Sequence, residues 1–265
     1  MQVSKKTFVV TSGGSGIGKE IVRTLLINNA TVVAIDINEK ALTNLVIDMK
    51  SNQLSTYQLD ICDKESVDTF VQMTTQKYSI DGIINNAKII HPFINVEDLT
   101  HEQIKRIFDV NVFGTLNLIK AFIPILKSNK ESIIVNVSSM GAFVPVSGQT
   151  IYGASKAAVK LLTEGLMAEL SQTNIKVMVV YPGGVRTNIM ENSVVKMSQR
   201  MIAIRKIIKL TTPEKVAKKI VNGIKHNRKR IPIGIDSKIF YVISPLFPRF
   251  SSLLMTKLMT LILKN

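Results

Sequence analysis

The sequence predicts an α/β fold in which a parallel sheet of about seven strands has helices on both faces. The first observation is an alternation of short Val- and Ile-rich runs with helical segments of about 10–15 residues, the order typical of βαβ units. The second is a glycine-rich turn between the first run and the first helix. The third is that small polar residues follow several of the runs, as expected where a ligand lies across the carboxyl edge of a sheet.

The predicted elements alternate along the whole of the first 236 residues. Helices are predicted at 39–50, 64–77, 101–127 and 213–225, and another begins near Tyr152; the helix at 101–127 should bend near Pro124. The last strand contains Pro232 and is therefore expected at an edge of the sheet. The predicted strands are 7–10, 31–35, 54–59, 81–84, 132–137, 175–181 and 231–233.

Length and composition suit one globular domain. The chain has 265 residues, of which 46% are hydrophobic and 20% charged, and this balance excludes a disordered chain. The single cysteine, Cys62, excludes an intramolecular disulfide and fits a reducing compartment. Residues 1–6 are polar and lead directly into a strand-like run, so no signal peptide is expected and a cytoplasmic protein is favoured.

The net charge of +15 is unevenly distributed. Residues 196–265 contain sixteen Lys and Arg against Glu214 and Asp236, so this segment carries +14 and the first 195 residues carry +1. Such asymmetry points to an anionic partner, either a membrane or a nucleic acid. An ordinary solvated basic surface explains it equally well.

The glycine-rich turn is the first candidate ligand site. Residues 11–18 read Thr-Ser-Gly-Gly-Ser-Gly-Ile-Gly between a strand and a helix. Small residues let the backbone approach a pyrophosphate, and the helix N-terminus presents free N–H groups to it. The cofactor contacts predicted here come from Ser12, Gly13, Ser15, Gly16, Ile17 and Gly18.

Asp36 closes the second strand, about twenty residues after the glycines. A carboxylate there can bind both hydroxyls of an adenosine ribose and would repel a 2′-phosphate. Neither Ser15 nor Ile37 supplies a basic group for such a phosphate. The sequence therefore favours NAD without excluding NADP, and the alternative for Asp36 is an ordinary turn residue.

Tyr152 and Lys156 are the first candidate catalytic pair. Residues four apart lie on one face of a helix. An ammonium beside a phenol favours the phenolate and would lower the tyrosine pKa, which suits a general acid/base. By itself the pair also fits an ordinary exposed helix face. The motifs around it in the sequence are therefore needed to choose between the two interpretations.

Those surroundings resemble the short-chain dehydrogenase/reductase family, which has a Rossmann-like doubly wound sheet. The resemblance covers about residues 6–187 and extends more loosely to 236. It rests on motifs in the expected order, namely the turn at 11–18, Asn85-Asn86-Ala87, Asn111, Ser139 thirteen residues before Tyr152, Tyr152 with Lys156, and Pro182-Gly183 with Val185 and Thr187.

The resemblance implies NAD(P)-dependent oxidation of an alcohol or reduction of a ketone, with no metal. Tyr152 would exchange a proton with the substrate oxygen, and Ser139 would hydrogen-bond that oxygen. Lys156 would bind the nicotinamide ribose and lower the Tyr152 pKa, and Asn111 would hold a water of a proton relay. The further cofactor contacts implied are Asp36, Asp60, Ile61, Asn86, Ala87, Tyr152, Lys156, Val185 and Thr187. The family also implies a homo-oligomer, a dimer or tetramer, through the helices at 101–127 and 152–171.

Two positions depart from the family pattern. Ser12 stands where the family has its first glycine, and the turn is expected to survive with altered backbone angles. Lys88 stands where the family has a glycine after Asn-Asn-Ala, and it would shift the loop or add a charge near the mouth of the site. The catalytic four are intact, which argues against the alternative, a non-catalytic NAD(P)-binding regulatory or scaffold protein.

The C-terminal part divides into a substrate lid at about 188–210, within a catalytic domain of residues 1–236, and an apolar basic tail at 237–265. The lid is amphipathic and suits an apolar substrate, although it could also pack on the body without touching a ligand. Pro245, Pro248, Arg249 and Lys257 interrupt the tail, so it is not expected to span a membrane.

Three interpretations of the tail stay open. It folds over the substrate pocket, packs against a partner subunit, or lies in a membrane interface. Apolar content combined with basic charge favours peripheral membrane contact and a lipophilic substrate. Nucleic-acid binding is not expected, because the segment lacks the patterned elements of a known module.

Overall fold

The computed structural model describes residues 1–186, Ser193 and 210–263, with the side chains of 261–263 excepted. Within them it forms one seven-stranded sheet in the order β3-β2-β1-β4-β5-β6-β7, with every neighbouring pair parallel. This confirms the predicted Rossmann-like fold class, and β7 lies at the edge as its proline required. The strands are β1 Thr7–Thr11, β2 Thr31–Asp36, β3 Leu54–Gln58, β4 Gly82–Asn85, β5 Ser132–Val137, β6 Ile175–Pro182 and β7 Arg230–Ile233.

Helices cover both faces of the sheet, because successive side chains of a buried strand point to opposite sides. Phe8 and Val10 of β1 pack with α1, α2 and α7, whereas Val9 packs with α3, α5 and α6. The helices are α1 Gly16–Ile27, α2 Glu39–Met49, α3 Lys64–Lys77, α4 His101–Phe108, α5 Thr115–Ser128, α6 Thr150–Glu169, α7 Pro213–Lys225, α8 Ile235–Leu246 and α9 Pro248–Leu263.

The order of the strands reverses at β1, which lies between β2 and β4. In such a sheet, a crevice opens outside the carboxyl ends of the strands at the point of reversal. Thr11, Asp36 and Asn85, the last residues of β1, β2 and β4, therefore lie around one crevice. Every predicted site residue that the structure describes belongs to this end of the sheet or to the helices that border it.

The helix predicted at 101–127 is interrupted by a π-helical turn, Asp109–Gly114, between α4 and α5. Pro124 stays inside α5, and the bend predicted near it stays a prediction. Buried Asn111 lies within the π turn, and such turns are frequent at functional sites. His101–Ser128 is also long and apolar enough to cross a membrane, but it has core residues on one side, among them Leu118, Phe122 and Leu126.

The tail forms α8 and α9 and packs against the body of the protein. Phe240 of α8 and Met255 and Met259 of α9 are buried in a cluster with Val144, and Phe143 packs against that cluster. Met140 and Val146 border the same cluster, so the tail covers the segment that directly follows Ser139. The tail thus contributes to the wall beside the predicted catalytic residues.

Candidate active site

Ser139 and Tyr152 meet where β5 and α6 approach the crevice. Ser139 follows β5 by two residues, and its hydroxyl accepts a hydrogen bond from the Gly141 amide at 3.2 Å. The ring of Tyr152 lies beside the same glycine. Burial raises the pKa of Tyr152 to about 12, and the nearby Ser139 hydroxyl opposes the rise only in part. Tyr152 is consequently a protonated phenol at neutral pH.

Lys156 lies one turn further along α6 and is 1% exposed. Its ammonium donates to the Val137 carbonyl at 3.1 Å. Burial lowers the pKa of Lys156 well below its usual range, and the charge of Lys88 lowers it further. The ammonium is directed to a carbonyl, and burial disfavours its charged form. The predicted effect of Lys156 on the pKa of Tyr152 stays a prediction.

Asn111 is fully buried and connects the loop that contains Ile89 to α6. Its Oδ1 accepts from the Ile89 amide at 2.9 Å, and its Nδ2 donates to the Ile89 carbonyl and to Ser155 Oγ, both at 3.0 Å. Ser155 in turn donates to the Tyr152 carbonyl at 2.7 Å. Asn111 is thus connected through one hydroxyl to the backbone of Tyr152, the candidate catalytic tyrosine. Its role in a water relay stays a prediction.

The glycine-rich turn between β1 and α1 keeps its expected course. Ser12 has a φ of +50°, the left-handed region that favours glycine, so a residue with a Cβ is strained here. That the turn differs in its backbone angles from the family's stays a prediction. Gly18 lies so close to the turn that a Cβ there would be 1.9 Å from the Ser12 carbonyl oxygen. Only glycine therefore fits at position 18 without moving the turn.

Asp36 is 9% exposed and binds the same turn from the end of β2. Its carboxylate accepts from the Gly14 amide at 3.0 Å and from the Asn38 amide at 3.1 Å. It borders a cavity of about 240 Å³ at the crevice. The lining includes Ser12, Ser15, Asp36, Asp60, Ile61, Ala87, Lys88 and Arg106.

These residues suit the adenosine and the diphosphate of a bound dinucleotide. A carboxylate with free lone pairs suits ribose hydroxyls, and the backbone of a glycine-rich turn at a helix N-terminus suits phosphate. Apolar Ile61, 6% exposed, supplies a flat wall suited to a base. The chemistry of the cavity therefore agrees with the predicted cofactor.

Asn86 and Ala87 are fixed by Thr11, whose hydroxyl accepts from both backbone amides at 2.8 Å. Val185 is held by a parallel bridge to Thr211. Thr187 and most of the predicted lid lie outside the described residues. Ser193 is described, and its hydroxyl accepts from the Ile90 amide at 3.0 Å.

Sequence reasoning missed three supporting residues. Ser155 links Asn111 to Tyr152, and its place three residues after Tyr152 was the available signal. Thr11 ends β1 and had the same polar strand-end signal as Asp36. Asp236 accepts from the Gly184 amide at 2.7 Å across 52 positions, and no local pattern predicts that contact.

A doubly wound parallel sheet with a glycine-rich turn, an acidic end of β2 and a Ser–Tyr–Lys group at one crevice defines a dinucleotide-dependent oxidoreductase. The profile of the short chain dehydrogenase family matches residues 6–198. The chain belongs to this family.

Relatives cover almost the whole chain. A Mycobacterium tuberculosis protein named as the oxidoreductase SadH is 30% identical over 248 residues, 90% of each chain. A short chain dehydrogenase from Burkholderia cenocepacia, solved with NADP, has a TM-score of 0.79 at 25% identity and covers 98% of this chain and 100% of its own. A 3-ketoacyl-(acyl-carrier-protein) reductase from Brucella melitensis, solved with NADH, has a TM-score of 0.78 at 25% identity and covers 86% and 96%.

Proposed function

We propose that this chain interconverts an alcohol and a ketone with NAD(H) as the hydride carrier. The observation that carries the proposal is that Ser139 and Tyr152 lie together beside Gly141, at the crevice that also contains the acidic, glycine-lined cavity. The nicotinamide cofactor, when bound, supplies or accepts the hydride. The protein supplies position, hydrogen bonds and the proton.

Each catalytic side chain has a task in this proposal. Ser139 holds the substrate oxygen, and Tyr152 donates the proton that this oxygen takes up when a ketone is reduced, because its pKa of about 12 keeps it protonated. Lys156, with a depressed pKa, can return a proton to the tyrosinate. Asn111 fixes the backbone of α6 through Ser155.

NAD is proposed over NADP on the charge of Asp36. Its carboxylate is anchored by two backbone amides and borders the cavity, where it would repel a 2′-phosphate. Ile37 also lines this end and offers no compensating charge. Related proteins have been solved with either cofactor, so the preference is specific to these residues.

The substrate is proposed to be lipophilic, since apolar side chains border Ser139 on the tail side. Met140 and Phe143 follow it directly and pack against the buried cluster of α8 and α9. A homo-oligomer is proposed through the π turn and α6, on which Phe113 is 54% exposed and Leu161 is 69% exposed. Such exposed apolar side chains are suited to a subunit interface.

Peripheral contact with an anionic membrane is a second proposal, carried by the outer face of the tail. Leu246, Phe247, Phe250 and Leu253 are each more than half exposed around the junction of α8 and α9. Exposed Lys238, Arg249 and Lys257 lie on the same two helices. Apolar side chains beside basic groups suit insertion into an anionic bilayer surface.

The decisive experiment is substrate profiling of the full chain with NADH and NADPH, using ketones that include long-chain and steroid-like compounds. Tyr152→Phe should reduce turnover by a factor on the order of 100 or more while NADH still binds. Tyr57→Phe, in β3, is the matched control and should keep full turnover. NADH binding without turnover of any ketone would favour the alternative, a non-catalytic binding protein; turnover by Tyr152→Phe at the wild-type rate would contradict the mechanism.

A further inference from the structure

Lys88 places a second ammonium in the crevice beside Lys156. It follows Ala87 at the carboxyl end of β4, at the position where the family pattern has glycine. The side chain is half-buried and lines the same cavity as Asp36 and the glycine-rich turn. Its charge lowers the pKa of Lys156, so the two side chains are near enough to interact electrostatically.

This ammonium has weak partners only. Lys88 Nζ donates to the Asn86 carbonyl at 3.3 Å and to Asn86 Oδ1 at 3.4 Å, both long for a charge-assisted bond. Among the residues that the structure describes, no carboxylate lies within 4.0 Å of it. Burial accordingly lowers the pKa of Lys88 to about 8. An enclosed ammonium without a counter-ion is costly, and an anion in the cavity would remove that cost.

The contacts of Asn86 show which part of the cavity the ammonium faces. Asn86 Nδ2 donates to the Thr11 carbonyl at 3.1 Å, and Gly18 lies so close that a Cβ there would be 2.8 Å from this nitrogen. Asn86 Oδ1, on the same amide, receives Lys88. Lys88 is therefore held next to the glycine-rich turn and the first turn of α1, where backbone N–H groups favour phosphate.

We infer that Lys88 is a ligand of the cofactor diphosphate, completing a site whose other part is the glycine-rich turn. This inference rests on the proposed function, because it requires a dinucleotide in the cavity. It also relates the two departures from the family pattern: Ser12 strains the turn, and Lys88 adds a charge that the usual glycine cannot supply. An anionic group on the substrate is the other possible source of the same chemistry.

The test measures binding rather than turnover. Dissociation constants for NADH, ADP and adenosine are determined without substrate for wild type, Lys88→Met and Lys88→Arg. Methionine preserves the length of the side chain and removes the charge, and arginine keeps the charge. Lys64→Met, at an exposed lysine of α3, is the matched control.

Lys88→Met should weaken NADH and ADP about tenfold or more, the worth of one charge-assisted hydrogen bond. Adenosine has no phosphate and should bind within about twofold of wild type. Lys88→Arg should retain most of the ADP affinity, and Lys64→Met all of it.

Two results would overturn the inference. If Lys88→Met binds NADH and ADP as tightly as wild type, the lysine does not bind the diphosphate and an anionic substrate group is its ligand instead. If Lys88→Met weakens adenosine and ADP binding equally, the lysine contributes by packing and not by its charge. Both results can be told apart from a failure of the proposed function. In that case the wild-type protein binds no NADH, and the inference about Lys88 is overturned as well.

Discussion

The carboxylate of Asp236 accepts a hydrogen bond from the Gly184 amide at 2.7 Å, joining the first turn of α8 to the loop that follows β6. Gly183 is packed against the same carboxylate, since a Cβ there would lie 2.2 Å from Asp236 Oδ1. Next to it, Ser237 Oγ donates to the Tyr181 carbonyl at 2.7 Å. The start of the tail is thus part of the support for the loop that carries Val185.

Replacing Asp236 should loosen that loop and weaken cofactor binding. Asp236→Ala leaves the Gly184 amide without its acceptor, which should cost about 1–3 kcal/mol in the free energy of unfolding. The dissociation constant for NADH should rise several-fold, measured by fluorescence titration. Asp236→Asn can still accept and should lose less. Asp68→Ala, at a half-buried residue of α3 whose carboxylate is paired with the exposed Lys64, serves as the control. Equal effects in Asp68→Ala and Asp236→Ala would contradict the assignment.

Ser12→Gly should stabilise the protein. A left-handed residue with a Cβ is strained by about 1–2 kcal/mol, and glycine removes this strain while adding freedom to the unfolded chain. The free energy of unfolding in urea should therefore rise by about 0.5–1 kcal/mol. Ser12→Ala keeps the Cβ and should show no gain. If both variants are equally stable, the strain at φ +50° does not reduce the stability of the protein.

Ser155→Ala tests the link between Asn111 and α6. The substitution removes the acceptor of one Asn111 N–H inside a fully buried site, which should cost about 1–3 kcal/mol in the free energy of unfolding. Thermal and urea unfolding measure the loss. Ser128→Ala removes an exposed hydroxyl that donates to the Ile125 carbonyl, and it should change stability by less than about 0.5 kcal/mol. If Ser155→Ala loses no more free energy of unfolding than Ser128→Ala, the hydrogen bond between Asn111 and Ser155 does not stabilise the protein.

Stability should rise with pH in the alkaline range because of Lys88. Its pKa is about 8 in the folded protein against 10.5 ordinarily, so between these values the unfolded chain binds more protons and deprotonation favours folding. From about pH 8 to about pH 9.5, the free energy of unfolding of wild type should gain about 1 kcal/mol more than that of Lys88→Met. Lys156 remains in both proteins, so the comparison reports Lys88 together with the effect of its charge on the pKa of Lys156. Parallel pH profiles from urea midpoints would contradict the burial of this ammonium.

Membrane contact should depend on the outer face of the tail. The full chain should float with anionic vesicles and less with zwitterionic ones, and added salt should release it. Leu246→Ser, Phe247→Ser and Phe250→Ser combined should stay in the unbound fraction. These side chains are exposed, so the variant leaves Phe240, Met255 and Met259 in place, whereas a chain ending at Asp236 would lose them from the core.

The matched control for the flotation changes three apolar side chains that are also exposed but lie on α1 and α2. These are Ile27, Val46 and Ile47. Their replacement by serine should leave flotation unchanged. Equal flotation of both triple variants and wild type would contradict the membrane proposal.

The fold could be predicted from the sequence because its signals are local. Short runs of apolar and β-forming residues located the seven strands to within about two residues. The strand order, with its reversal at β1, was not predicted. Lys64 began and Lys77 ended a predicted helix that the structure confirms. Family resemblance then predicted the catalytic residues, of which Ser139 and Tyr152 lie together beside Gly141 in the structure.

The parts that escaped prediction depend on contacts between distant segments or on burial. Nothing near Asp236 indicates Gly184, and the direction of the Tyr152 pKa follows from enclosure by several elements rather than from the spacing to Lys156. Similarly, the proline at 124 was an obvious local signal for a bend, but the break in regularity accompanies the buried contacts of Asn111.

Because of the π turn, the relative orientation of α4 and α5 depends on the exact number of residues between them. A π turn contains one residue more than an α turn, so it amounts to a single inserted residue between α4 and α5. Removing one residue from Asp109–Gly114 would let the helix continue as regular α structure. Every side chain on the α4 side would then rotate by about 100° relative to α5. A gene that loses one codon here would encode an intact helix that presents the wrong side chain to Ser155, whereas most substitutions on its outer face would do far less.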